Sequence, residues 1–365
     1  MPTVLLVGPF GVRNPGAEAL LTATRDALPG WDAIVTSTRP RQTETRWGYR
    51  AVPAGDAAAV LGGARAADAI VFLGGALAAN AGRGADRRGQ LLALALSAAA
   101  RRRPVAFLGL SAGPLEGVWG RILASRVVRG TDLLILRDEE SARLLTRAGA
   151  PSPLWVGADP AWALMDAPAA PRPQGDTVVV AVSAVAGPRP SPGALAEALR
   201  PLVATDLRVQ LQPWQVHGGC GDDLDLARAI ASRLGGGAHI VDAPRDLHDA
   251  RERYARARVV VGMRLHALVA AGAAGAPFVA LAYAPKLAGL ARRLEQPILP
   301  PALLRQLPGA VLAALDHNPP SRAAVKVQIA TAAEGFRLLR LLLAGGQTDD
   351  TDFGAGLTLE PTSWT

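Results

Sequence analysis

The sequence predicts an α/β protein made of two doubly wound parallel-sheet domains in succession, facing across a cleft. Three observations carry this. Apolar runs of strand length recur along the 365 residues, and most lead through a loop into a helical stretch. The runs are continuously apolar rather than alternating, as strands covered on both faces must be. The pattern stops at a proline-rich segment, residues 166–176, and then restarts.

In the first half, TVLLVG (3–8) is the opening strand and enters a glycine-rich loop before a helix over 16–28. DAIVTS (32–37) and DAIVFLGG (68–75) are the next buried strands. A helix over about 88–101 precedes PVAFLGLSAGP (104–114), and another over about 117–129 follows it. DLLILRD (132–138) is a strand that runs into the helix EESARLLTRAG, closed by Gly149.

DAPAAPRPQGD (166–176) has little apolar content and reads as a linker between a first domain over 1–165 and a second over 177–345. The second begins with TVVVAVSA (177–184), a helix over 191–204 and LRVQLQPW (207–214). A helix over 223–234, the strand HIVDAP (239–244) and a helix over 246–256 follow. ARVVVGM (257–263) leads to a helix from 264, and PFVALAY (277–283) to a helix over 285–294. Residues 301–344 are mostly helical, and these last helices can pack back on the first domain. The polar stretch 346–365 is expected to be a flexible tail.

Composition narrows the function. Half the residues are apolar and 19% are charged, which excludes a disordered chain. The single cysteine, Cys220, excludes an intramolecular disulfide and a cysteine-based zinc site. No two histidines have metal-ligand spacing, so no tightly bound metal and no resident cofactor are expected. There is no G-x-S-x-G elbow, which argues against that class of hydrolase. The N-terminus lacks a basic region and a cleavage site, so no signal peptide is read and a cytoplasmic protein is expected. The apolar run Ala267–Pro285 is broken by Gly272, Gly275 and Pro277, and reads as a buried helix and strand rather than a span.

The net charge is +8, and the acidic tail leaves about +12 on the body. Anionic partners follow: phosphates, acidic glycans or anionic lipid. Nucleic acid is not expected, because the arginines are scattered and no binding motif is present. Two lysines, Lys286 and Lys326, stand against 37 arginines.

Several loops lie at strand ends, where open α/β sheets place ligands. GPFGVRNPGAEALL (8–21) serves either an anion at a helix N-terminus or a tight strand–helix turn. LGGALAANAG (73–82) and LSAGPLEG (110–117) allow the same two readings. In LRDEESARLL (136–145) the acids Asp138, Glu139 and Glu140 suit the first turn of a helix, whereas Arg137 at the strand end faces the crevice. The segment 259–290 is the most informative. Its strand delivers Arg264 and His266 to a helix start, and Lys286 opens the next helix. Arginine suits bidentate capture of carboxylate or phosphate, lysine is a point charge, and histidine transfers protons near neutral pH.

Taken in order, these motifs resemble the polysaccharide pyruvyl transferase family, especially its bacterial cell-wall members. The family's G-x-x-G-x-x-N-x-G-D-E-A-like loop reads here as Gly8, Gly11, Asn14, Gly16, Ala17, Glu18, Ala19. Its glycine-rich strand end is matched by Gly74 and Gly75, its G-P turn by Gly113 and Pro114, and its R-D-E-x-S segment by Arg137, Asp138, Glu139 and Ser141. An A-D-P-A-aromatic segment runs from Ala158 to Trp162, M-R-L-H from Met263 to His266, and Y-x-P-K from Tyr283 to Lys286. The matches span about residues 5–295.

The resemblance implies two Rossmann-like domains in a GT-B-like arrangement. It implies phosphoenolpyruvate as donor and co-substrate, a sugar diol of a cell-wall or surface polysaccharide precursor as acceptor, and a pyruvate ketal as product. It further implies a role for such ketals in S-layer anchoring. The acceptor would be lipid-linked, with peripheral contact at the inner face of the membrane. His266 would be the general acid, and Arg264, Lys286 and Arg137 would hold the donor. Gly11, Asn14, Glu18, Gly74, Gly75, Gly113 and Tyr283 would supply acceptor or loop contacts. Three positions depart from the pattern. Ala17 and Ala284 stand where Asp is usual, and Ala76, with Ala79–Asn80 beyond it, where a third Gly is usual. The alternatives are a nucleotide-sugar glycosyltransferase of the same architecture and a binding protein that kept the fold without the chemistry.

Overall fold

A computed structural model describes residues 1–77, 103–113, 117–150, 154–168, 175–184, 189–216 and 222–345. The expected helix over 88–101, Ala79–Asn80, Pro114, His217, Cys220, the tail after Gly345 and part of the expected linker lie outside the described residues. The chain divides into two compact units. The first comprises Met1–Val12, Leu20–Leu164 and Ala330–Thr365, and the second Arg13–Ala19 and Met165–Ile329.

The first unit is a parallel sheet of β1 (Thr3–Phe10), β2 (Asp32–Ser37), β3 (Arg50–Pro53), β4 (Ala69–Leu73), β5 (Ala76–Leu77), β6 (Val105–Ala112), β7 (Leu133–Leu136) and β8 (Trp155–Val156). The strand order is β3-β2-β1-β4-β6-β7-β8, with β5 on β6. Between the strands run α1 (Pro15–Ala27), α2 (Pro40–Trp47), α3 (Ala57–Ala66), α4 (Gly117–Arg129) and α5 (Glu139–Arg147). Every residue of β4 and β6 is buried, which is what their unbroken apolar sequences require. Phe72 and Phe107 are direct neighbours in this register and stack with centroids 4.1 Å apart.

The apolar pattern leaves α2, β3 and α3 blank, for a physical reason. Of α2 only Thr43 is buried, so the helix has no apolar stripe to announce it. β3 is a four-residue edge strand with one fully buried side chain, Val52. α3 is built mostly of alanine and glycine; it buries Val60 and Ala64, and the Asp56 carboxylate caps it, accepting from Ala58 N at 2.9 Å and Ala59 N at 3.1 Å.

The second unit holds β9 (Thr177–Ala181), β10 (Arg208–Gln212), β11 (Ala238–Ile240), β12 (Val259–Gly262), β13 (Phe278–Leu281) and β14 (Ile298–Leu299), in the order β11-β10-β9-β12-β13-β14 and all parallel. Its helices are α6 (Pro192–Val203), α7 (Asp223–Arg233), α8 (Leu247–Tyr254), α9 (Leu265–Ala274), α10 (Pro285–Arg293) and α11 (Leu307–Asp316). The run Ala267–Pro285 forms most of α9 and all of β13, with Gly275 closing the helix in a left-handed conformation (φ 68°). Nearly every residue of α9 is buried, which accounts for a helix apolar all round. Among the described residues no helix is long and apolar enough to cross a membrane.

The last helix, α12 (Arg322–Leu343), belongs to the first unit from Ala330 onward. There Gly335 approaches Ile135 of β7, and Arg340 Nη1 reaches the Ala27 carbonyl at 3.4 Å. In each sheet the strand order reverses once, between β1 and β4 and between β9 and β12. The crevice beyond the carboxyl ends of such a strand pair is the usual ligand position.

Candidate active site

The second unit holds six of the eleven predicted residues, Asn14, Glu18, Arg264, His266, Tyr283 and Lys286, and Arg264 and His266 follow β12 at its order reversal. β12 ends in buried Met263, and Arg264 follows as the N-cap of α9 with extended backbone (φ −117°, ψ 132°). Arginine cannot cap a helix by accepting, and its side chain turns elsewhere. Arg264 Nε donates to Asp223 Oδ2 at 3.1 Å and Nη2 to Oδ1 at 2.5 Å. The Asp223 side chain is 0% exposed and that of Arg264 10%. Asp223 also accepts from three backbone N–H groups: Ala184 at 2.7 Å, Trp214 at 3.1 Å and Gln215 at 2.8 Å. Five donors therefore surround one buried carboxylate, the condition under which a buried charge is tolerated.

The first loop reaches the same place. Residues 13–19 belong to the second unit, although the strand before them lies in the first. Arg13 takes a left-handed backbone (φ 51°), uncommon for a side chain of its size. Asn14 Oδ1 accepts from Gly16 N at 3.0 Å, and the Glu18 N–H donates to the Asn14 carbonyl at 3.1 Å, so Asn14 starts α1. Buried Glu18 lies in the first turn of that helix, where an acid complements the macrodipole. Asn14 Nδ2 lies 3.5 Å from Gln215 Oε1, and Arg264 Nη1 lies 3.5 Å from the same oxygen. Gly16 packs against the His266 ring. A Cβ at position 16 would lie 2.0 Å from His266 Nδ1 and 2.6 Å from its Cβ. The N-x-G and R-L-H motifs, some 250 residues apart in sequence, thus meet in space, and only glycine fits between them.

After β13, Tyr283 is half-buried and its hydroxyl pairs with that of Ser183 at 3.1 Å, beyond the end of β9. Ala284 occupies the N-cap of α10 and offers no side-chain cap, so the first N–H groups of that helix lack the acceptor an Asp would supply. Lys286 follows Pro285 in the first turn and is half-buried.

Arg137 belongs to the first unit. Its Nε donates to Ser111 Oγ at 2.5 Å, Nη1 to Asp159 Oδ2 at 3.0 Å and Nη2 to the Gly75 carbonyl at 2.9 Å. The two charged side chains of the Arg137–Asp159 pair are 5% and 4% exposed. Gly74 and Gly75 both have positive φ (63° and 84°), which turns the Gly75 carbonyl towards Arg137 and the Ser111 N–H. Asp138 caps α5 through Ser141 N at 2.8 Å and accepts from Ser111 Oγ at 3.0 Å. The R-D-E-x-S and A-D-P-A-W segments are thereby one buried polar network, which accounts for Arg137 as the clamp of these strand ends. Gly11 (φ 77°) packs on the Thr38 and Arg39 backbone, Gly113 ends β6 half-buried, and Ala17 is buried in α1.

Sequence reasoning missed Asp223, Gln215 and Ser183. Asp223 sits among Asp222 and Asp225 at a helix start, so its type carries no signal there. Gln215 and Ser183 are ordinary loop residues until the strand ends are aligned. Among the described residues no group of three His, Cys, Asp or Glu side chains could hold a metal ion. The arrangement offers an arginine with one edge fixed, a histidine beside it, a lysine, and two helix N-termini without side-chain caps. Such a set can hold an anion and move a proton.

The sequence profile of the polysaccharide pyruvyl transferase family matches residues 14–285. No curated protein sequence matches the chain. Among solved structures, Anabaena HepE in complex with UDP and glucose is similar at a TM-score of 0.60 and 16% identity, over 94% of this chain and all of that one. The Staphylococcus aureus MnaA–UDP complex is similar at 0.60 and 12% identity, over 97% of this chain and all of that one. The UDP-GlcNAc 2-epimerase of Methanocaldococcus jannaschii is similar at 0.56 and 12%, over 94% of this chain and all of that one. Identities this low speak for the fold of two parallel-sheet α/β domains and no further.

Proposed function

The chain belongs to the polysaccharide pyruvyl transferase family, and we propose that it moves the pyruvyl group of phosphoenolpyruvate onto a sugar diol, forming a pyruvate ketal and releasing phosphate. The observation that supports this most is the meeting of Arg264, His266 and the Asn14–Gly16 loop at one strand-order reversal. Phosphoenolpyruvate carries a carboxylate and a phosphate, so its site needs oriented cationic donors. Arg264 and Lys286 fill that role here.

The chemistry needs one acid and no redox partner. His266 gives a proton to the methylene carbon of the enol, making C2 electrophilic. A sugar hydroxyl attacks C2 and its proton passes to the now neutral imidazole. The C2–O bond to phosphate breaks, and phosphate leaves with the electron pair. The second hydroxyl then closes the ketal on C2, and its proton goes to the departing phosphate. Arg264 and Lys286 stabilise the charge on the departing phosphate. We place the acceptor on a lipid-linked cell-wall precursor, because a body of about +12 suits an anionic membrane face.

The test compares donors on the purified chain. Saturating phosphoenolpyruvate should stabilise the protein, by about 2.7 kcal/mol at a hundred times its dissociation constant. Phosphate should be released only when a sugar diol is present. His266→Ala should keep the thermal shift and lose about 10²–10⁴-fold in turnover. A shift from a UDP-sugar but none from phosphoenolpyruvate would replace this reading with nucleotide-sugar transfer.

A further inference from the structure

The buried carboxylate of Asp223 has no explanation in its own helix. Asp222 already caps α7, accepting from Leu224 N at 2.8 Å. Asp223, one residue on, turns instead to the sheet and receives Ala184 N after β9, Trp214 N and Gln215 N after β10, and Arg264 after β12. Three strand ends are thus tied to one side chain at the point where strand order reverses.

The contact has a direction. Asp223 takes the Nε/Nη2 edge of the guanidinium, and Nη1 is left on the side of Gln215 and Asn14. A paired arginine contributes little net charge, since the carboxylate offsets it. What it keeps is geometry: a planar fork whose remaining N–H groups are aimed before any ligand arrives.

We propose that Asp223 is a positioning residue: it fixes Arg264 by the Nε/Nη2 edge so that the remaining edge meets the anionic donor. The identity of that donor as phosphoenolpyruvate rests on the reading above; the positioning does not.

The experiment is a double-mutant cycle with a spectroscopic arm. Asp223→Asn keeps the volume and one acceptor oxygen but loses the charge that holds the fork. It should lower kcat/KM for phosphoenolpyruvate by about 10²-fold, the size expected of a misplaced binding group. In an Arg264→Met background the same substitution should cost no further activity, although it still lowers Tm. Equal losses in both backgrounds, or an unchanged donor KM, would show that Asp223 acts only as a backbone tie. The spectroscopic arm uses the wild-type chain with no ligand and so does not depend on the variants folding. The Arg264 Nε–H resonance, assigned by through-bond correlation along the Arg264 side chain, should be sharp and slow to exchange. An averaged, rapidly exchanging signal overturns the proposal. If phosphoenolpyruvate does not bind at all, the pyruvyl-transfer reading falls and this resonance still decides the positioning.

Discussion

Gly16→Ala tests the contact between the first loop and His266 directly. The added Cβ would sit 2.0 Å from His266 Nδ1, 2.2 Å from Cγ and 2.6 Å from Cβ. Unstrained carbon contacts lie at about 3.5–4.0 Å, so the ring must move by more than about 1 Å. Rotating the imidazole about χ1 does not relieve the clash with its own Cβ. The start of α1 or of α9 must therefore shift. Overpacking of this kind costs about 1–3 kcal/mol, offset by the roughly 0.5–1 kcal/mol that alanine gains over glycine in a helix. A net loss of about 1–2 kcal/mol is expected, read from the denaturant midpoint at unchanged m. Turnover with phosphoenolpyruvate should fall about 10²-fold, because the acid is displaced from its reacting carbon. Gly62→Ala is the matched control. It lies inside α3 with nothing within 4 Å of its Cβ, and should stabilise by about 0.5–1 kcal/mol with activity intact. A Gly16→Ala protein with wild-type turnover and unshifted His266 ring resonances would refute the packing argument and, with it, the role of this loop.

Two further outcomes follow from buried partners. Arg137→Met removes one member of the buried pair with Asp159 and should cost about 3–5 kcal/mol in chemical denaturation; unchanged stability with lost donor affinity would instead mean that Arg137 binds ligand. Tyr254 is fully buried, donates to Gln212 Oε1 at 2.5 Å and accepts from Trp214 Nε1 at 3.0 Å, so Tyr254→Phe should cost about 1–3 kcal/mol by leaving both partners unsatisfied. Burial raises the Tyr254 pKa above its ordinary value of 10.0, and the hydrogen bond from Trp214 only partly opposes this. The native state then holds a proton that the unfolded chain releases. This contribution is complete below pH 10, the unfolded value, and is lost as pH rises beyond it. Urea midpoints measured from pH 9 upward should decline for the wild type and decline less for Tyr254→Phe; parallel declines would exclude Tyr254 as the source.

The strands were legible because parallel strands buried on both faces must be apolar throughout, and TVVVA of β9 or VVVG of β12 can be little else. The helix starts bearing Arg264 and Lys286 were legible for a related reason: each follows directly on such a strand. Illegible were the elements whose stability comes from something other than an apolar face. α2 buries one threonine, and α3, whose alanines and glycines carry little apolar signal, adds the Asp56 cap to the burial of Val60 and Ala64. Arg137 marks the same limit within a site. Its place at a strand end is evident in the sequence, but Asp159, which claims its guanidinium, lies 22 residues later, just before the 3-10 turn Pro160–Leu164. Position along the chain says which strand end a side chain leaves from. It does not say whether a buried carboxylate is waiting for it.

The same distinction bears on the two alanines that replace the family's usual carboxylates. Ala284 stands at the N-cap of α10, two residues before Lys286. An aspartate there would accept from the first N–H groups of the helix and stabilise it by about 1 kcal/mol. With alanine that side-chain acceptor is missing, the Leu287 N–H bonds the Ala284 carbonyl at 3.1 Å, and position 284 carries no negative charge. Ala17 is buried in α1 one residue after Gly16, which packs on His266. A carboxylate at 17 would need its own buried partners; alanine needs none. On the proposed function, both substitutions remove negative charge near groups that would meet an anion. A carboxylate that could hydrogen-bond a sugar hydroxyl is absent at both positions. On the proposed function, selectivity for the acceptor comes from groups other than these two positions, and the Tyr283–Ser183 hydroxyl pair is one that can hydrogen-bond a sugar.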